Sequence, residues 1–165
     1  MNTAEIPVTL ILGAIVILIL LSAYFSGSET AMMALNRYRL RHLVNEGHHG
    51  ASRASKLLSR PDRLLGIILI GNNFVNFLAA SLATLIGLRL LGDLGVAIAP
   101  IVLTFVFLIF AEVAPKTIAA HYPESIAFPS SYLLQPLLWV LYPFVALVNG
   151  ISNAILRPFH MHRGT

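Results

Sequence analysis

Three short polar motifs interrupt segments that otherwise read as lipid-soluble: Ser22-Ala-Tyr-Phe-Ser-Gly-Ser-Glu29, Gly71-Asn-Asn-Phe-Val-Asn76 and Ala111-Glu-Val-Ala-Pro-Lys116. An oxygen-bearing group at membrane depth costs roughly a few kcal/mol unless it is partnered, so three such clusters point to a buried hydrophilic site. Ser22, Ser26 and Glu29 stand at i, i+4 and i+7, one polar stripe down a helix face, with Gly27 and Ser28 at its most breakable point. Hydroxyls ending in a carboxylate suit a hard cation. The plainer alternative is that each serine bonds back to the carbonyl four residues earlier and Gly27 permits close helix packing. Asn72 and Asn76 are i, i+4 and Asn73 and Asn76 are i, i+3, so three amides crowd one turn behind Gly71, whose carbonyl a ligand can approach closely. One inter-helix hydrogen bond needs fewer amides than that.

In the third motif Pro115 has no N–H for the carbonyl of Ala111 and pushes it aside, which frees a backbone oxygen beside the Glu112 carboxylate. Lys116, one turn on, is placed for an intrahelical ion pair with Glu112 or for snorkelling to the surface, and it competes for Glu112 when an ion leaves. Hydroxyl, amide, carboxylate and backbone carbonyl are hard donors, which favours Mg²⁺, Ca²⁺ or Na⁺ over Zn²⁺ or Cu⁺. Glu29 and Glu112 together neutralise one divalent ion.

The elements that must position these groups are membrane helices. Hydrophobic residues make up 57% of the 165 and charged residues 11%, which excludes an ordinary soluble domain. An isolated strand cannot satisfy its backbone in lipid, so the expected fold class is an all-α membrane protein with three transmembrane helices plus broken juxtamembrane or re-entrant helices. The spans fall at about 6–28, 64–91 and 95–120, a basic juxtamembrane segment at 36–63 and a broken helical pair at 126–157, where Pro129, Pro136 and Pro143 each remove a backbone donor. A fourth true crossing is the alternative for that last stretch, but it would put Arg157 and Arg163 outside. Small residues at Ala79, Ala80, Ala83, Thr84 and Gly87 let another helix approach the second span.

Arg37, Arg39, Arg41, Arg53, Lys56, Arg60 and Arg63 all lie between the first two spans, and Met1–Pro7 has no basic residue. The positive-inside rule then predicts a cytoplasmic loop and C-terminus, an external N-terminus, and contact between the loop and anionic headgroups of the bilayer. The same N-terminus does not read as a cleavable signal peptide. The net charge of +4 lacks the aromatic-basic interleaving of a nucleic-acid binder, so no nucleic acid is expected. The absence of cysteine excludes disulfides, thiolate metal sites and thiol nucleophiles. His48 and His49, in a Gly-flanked loop, read as solvated rather than metal-binding.

Ser26-Gly-Ser-Glu-Thr30, Arg37-Tyr-Arg-Leu-Arg41, Gly71-Asn-Asn-Phe-Val-Asn76 and Ala111-Glu-Val-Ala-Pro-Lys-Thr117, in this order and over nearly the whole chain, resemble the membrane domain of the CorC/cyclin M (CNNM) family of magnesium transporters. The resemblance implies a homodimer with three spans per subunit in the cell membrane, the inner membrane of a bacterium. It also implies a central Mg²⁺ site and Mg²⁺ export coupled to Na⁺ entry. Carried over, it puts Ser22, Ser26, Ser28, Gly71, Asn72 or Asn73, and Glu112 around the ion, with Glu29 and Asn76 nearby. Family members usually continue into a nucleotide-binding pair of CBS domains; this sequence stops at Thr165, so nucleotide regulation is not assigned to it. Two other classes are a membrane anchor or scaffold for a cytoplasmic CBS-type domain, and transport of another divalent cation. No enzymatic activity is expected: a serine hydrolase built on Ser28 needs a base, and His42 and His121 lie outside the apolar runs.

Overall fold

The structure, a computed structural model, describes residues 6–159. Met1–Glu5, where the expected external N-terminus begins, and Arg163 lie outside the described residues. Among those described there is no strand. The elements are α1 (Val8–Ala34), α2 (Arg37–Asn45), α3 (His49–Leu58), α4 (Pro61–Leu91), α5 (Asp93–Phe107), a π-helical stretch (Leu108–Val113), α6 (Ala114–His121), α7 (Pro123–Leu156) and a 3₁₀ turn (Arg157–Phe159). Four stretches are long and apolar enough to cross a membrane: Val8–Ala34, Pro61–Leu91, Asp93–His121 and Pro123–Phe159. At about 1.5 Å per residue each exceeds the roughly 30 Å of a hydrocarbon core.

The chain divides into two compact units. The first comprises the chain up to Ser26 together with Gly71–Thr117. Its apolar core is built on Ile11, Ile15 and Ile86, with Ile19, Leu82 and Leu103 against them. Gly92, at φ 66°, makes the turn between α4 and α5 with the left-handed backbone that glycine tolerates. Gly95 has a different reason to be glycine: a Cβ there would run into the backbone of Gly87, so α4 and α5 cross at backbone contact. Arg89 closes the end of α4 by donating from Nη1 to the Ile6 carbonyl.

The second unit comprises Gly27–Ile70 and the chain from Ile118 onward. The Asn36 side chain caps α2, its Oδ1 accepting from the backbone N–H of Tyr38 (2.9 Å) and Arg39 (3.2 Å). His48 caps α3: its Nδ1 accepts from the Ala51 N–H at 3.0 Å, and its ring leans on Phe128 at 5.1 Å. That gives His48 a structural task where the sequence suggested only solvation. The amphipathic α3 lays Ala51, Ala54, Leu57 and Leu58 inward and packs on α7, with Gly50 against Phe128 and Arg53 donating to Ser131 Oγ (3.2 Å) and to the Phe128 carbonyl (3.4 Å). Gly66 of α4 meets Val145 of α7 closely enough that a Cβ would sit 2.8 Å from its Cγ1.

α1 runs unbroken through Gly27 and Ser28 to Ala34, a few residues past the span expected to end near 28. One expectation meets a different backbone: α7 is one helix from Pro123 to Leu156 with Pro129, Pro136 and Pro143 inside it, where a broken pair was expected. Each proline removes one i→i−4 bond and leaves its neighbours' bonds intact. At seven-residue spacing the three omissions fall on one side of the helix, so the opposite side carries the ladder through.

Candidate cation site

Within the first unit, oxygen atoms from three sequence segments meet. Ser22, fully buried on α1, donates its hydroxyl to Asn72 Oδ1 at 2.8 Å or to Asn76 Oδ1 at 2.9 Å, both on α4. A hydroxyl has one proton, so three oxygens share it, and one amide oxygen always faces an acceptor unless its amide turns to present NH₂. One turn along α1, buried Ser26 donates to Glu112 Oε1 at 3.3 Å. The other carboxylate oxygen, Oε2, accepts from Lys116 Nζ at 3.1 Å; the Glu112 side chain is 29% exposed and that of Lys116 47%.

Glu112 owes its position to the π-helical stretch. In it the N–H of Ala114 reaches back five residues to the Ile109 carbonyl. Carried one residue further, this register would pair position 115 with the Phe110 carbonyl, and Pro115 has no N–H to give. The sequence pointed to the Ala111 carbonyl on four-residue spacing; on the five-residue spacing seen at Ala114 the acceptor opposite Pro115 is the Phe110 carbonyl instead. A proline directly after a π-bulge is a stable combination, because the bulge absorbs the ring that would clash in a tight turn.

Residues 13–165 of the sequence match the family model of the cyclin M transmembrane N-terminal domain. The chain belongs to the cyclin M family. This cyclin M domain is 61% identical over 137 residues to the UPF0053 inner membrane protein YfjD of Escherichia coli (strain K12), covering 83% of the chain and 32% of that relative. It is 50% identical over 153 residues to a UPF0053 protein of Haemophilus influenzae, covering 93% of the chain and 36% of the relative. A protein named polyamine export protein, also of Haemophilus influenzae, is 29% identical over 161 residues, which is 90% of the chain and 37% of that relative. The chain thus spans about a third of the length of the curated relatives it matches. It is a multi-pass membrane protein.

The remaining expected ligands of the cyclin M domain are placed as follows. Asn73 is exposed and takes no part in the Ser22 cluster, although it is one residue nearer to Asn76 in sequence than Asn72 is. Gly71 is where the Phe25 ring packs: a Cβ there would stand 2.5 Å from the ring's Cζ. Phe25, which spacing arguments passed over, thereby fixes the register of α1 against α4, and only the glycine hinted at it. Ser28 and Glu29 belong to the second unit. Ser28 is fully buried and its Oγ has no hydrogen-bond partner among the described residues, a state costing about 1–3 kcal/mol. Glu29 is half-buried. No group of three His, Cys, Asp or Glu side chains sits together among the described residues, so the cluster around Ser22 and Glu112 is one of hydroxyls and amides with a single carboxylate.

Proposed function

We propose that this domain is the membrane-embedded transport unit of a cation exporter, and that Ser22, Ser26, Asn72, Asn76 and Glu112 take the dehydrating ion, Mg²⁺ first among candidates. The observation that carries the reading is the convergence itself: the buried hydroxyls of Ser22 and Ser26 meet two side-chain amides and one carboxylate, and hydroxyl, amide and carboxylate oxygens are the donors a hard cation takes. Lys116 holds the Glu112 charge when no ion is present and gives it up when one arrives, so the empty site remains neutral. Because Mg²⁺ sheds water reluctantly, the Glu112 carboxylate is the group that must be firmest. Na⁺ entering the same oxygens from outside would drive the ion out by alternating access. Ser28 and Glu29 join this proposal as ligands of a second stage, supported by the unpartnered Ser28 hydroxyl.

The rest of the reading follows the family. The domain works as a homodimer, which gives the exposed Phe74 and Phe77 a second copy to pack on. Its basic α2–α3 segment faces the cytoplasm and anionic headgroups, its N-terminus lies outside, and it performs no catalysis. Flux through proteoliposomes under imposed Mg²⁺, Ca²⁺ or Na⁺ gradients tests it. Mg²⁺ movement that depends on Glu112 is expected, and equal leak with and without the protein would defeat the proposal.

One observation favours a second substrate class. The Lys116 ammonium on Glu112 is an alkylammonium already seated at the site, and two relatives are named polyamine export protein. In that reading a polyamine ammonium displaces Lys116. Competition of spermidine against Mg²⁺ for the same flux separates the two.

A further inference from the structure

Away from the oxygen cluster, the second unit contains a cleft of about 360 Å³ walled by cations on one side and by aromatic and polar side chains on the other. Lys56 from α3, Arg60 just before α4 and Arg63 from its first turn stand along one side; Gln135, Trp139 and Tyr142 of α7 form the other. The size is that of an ordinary small-ligand site. Lys56 is exposed and makes no ion pair among the described residues. Arg63 is held in place by Tyr142: its Nη2 donates to the phenol oxygen at 3.3 Å and its guanidinium lies 4.7 Å from the ring centre. Arg60 donates from Nε and Nη2 to Asp62, at 3.3 and 3.2 Å, the one carboxylate beside the cleft. Three cations against one carboxylate leave the cleft short of negative charge by two. Trp139 is 85% exposed, an indole turned outward from an apolar helix beside these cations, which is the arrangement of a membrane-interface anchor.

We infer that this cleft holds the phosphate headgroup of one anionic phospholipid, phosphatidylglycerol, with Lys56 and Arg63 on the phosphate and the first acyl carbons along Trp139. A free inorganic anion would need the cations but not the exposed indole, and a zwitterionic headgroup would set its own ammonium against Lys56. The inference is sharper than a general attraction of basic helices to an anionic surface and does not depend on which cation is transported.

The chain supplies its own probe, because Trp139 is its only tryptophan. In nanodiscs of phosphatidylcholine containing a minor fraction of acyl-brominated lipid, brominated phosphatidylglycerol is expected to quench Trp139 well beyond brominated phosphatidylcholine. The local enrichment should be on the order of fivefold for each cation engaged. K56Q/R63Q should remove the excess, whereas R37Q/R41Q, which neutralises as much charge on α2, should leave it. K56Q alone, whose ammonium holds no other residue, should lose part of the excess and keeps the test open if the double variant fails to fold. Equal quenching by the two lipids, equal loss in R37Q/R41Q, or removal of the excess by inorganic phosphate would each overturn the inference.

Discussion

Pro115, just after the π-stretch that ends at Val113, and the three prolines of the long helix α7 all stand in apolar sequence, yet only the first lies beside the oxygen cluster. Around Pro115 the backbone widens, a carboxylate sits on the same turn, and a buried serine of another helix meets it at 3.3 Å. α7 absorbs Pro129, Pro136 and Pro143 at even spacing without a change of helix type. Its buried polar groups, Ser130 and Ser131, are served by packing contacts such as the bond from Arg53. A proline in a membrane helix therefore marks function only where oxygen donors from a second helix face the loosened turn.

Substitutions sharpen that contrast. Glu112→Ala removes the only carboxylate of the cluster and should lower Mg²⁺ affinity by about 100-fold or more in calorimetry on the purified chain, the upper end of what ligand-sphere changes cost. Asn76→Ala or Ser22→Ala should cost about tenfold in the same titration, while Asn73→Ala should stay near wild type in binding. Pro115→Ala restores a backbone donor at the π-turn and should slow flux several-fold through proteoliposomes; Pro136→Ala, made in α7 away from the oxygen cluster, should change it by less than about twofold. If the two alanine variants behaved alike, the contrast between the helices would have no functional meaning. Lys116→Met is the smallest effect and has the opposite sign: without the competing ammonium, Mg²⁺ should bind a few-fold tighter, and release should become the slow step.

Much of this was legible in the residues. Hydropathy and the rule against strands in lipid set the helices, and Pro61 and the glycines at 47 and 92 mark several of their ends; the Asn36 cap that starts α2 was found only in the structure. The i, i+4 pair Asn72 and Asn76 correctly marked one polar face of α4. What spacing did not decide was which of Asn72 and Asn73 shares that face with Ser22, since i, i+3 and i, i+4 are both neighbours and only the Phe25–Gly71 contact fixes the rotation. Nor did it reveal the five-residue register before Pro115. The unity of α7 was hidden for a related reason: a single proline argues for a break, but three on one side leave the other side of the helix whole.

Locating the ion itself tests the cation site most directly. In crystals of the chain grown with Mn²⁺ in place of Mg²⁺, anomalous scattering should place the metal at about 2.0–2.5 Å from a Glu112 carboxylate oxygen, within reach of Ser26, Ser22 and an Asn72 or Asn76 amide, with Lys116 turned away. An ordered metal bound elsewhere in the membrane region, with Lys116 still on Glu112, would contradict it.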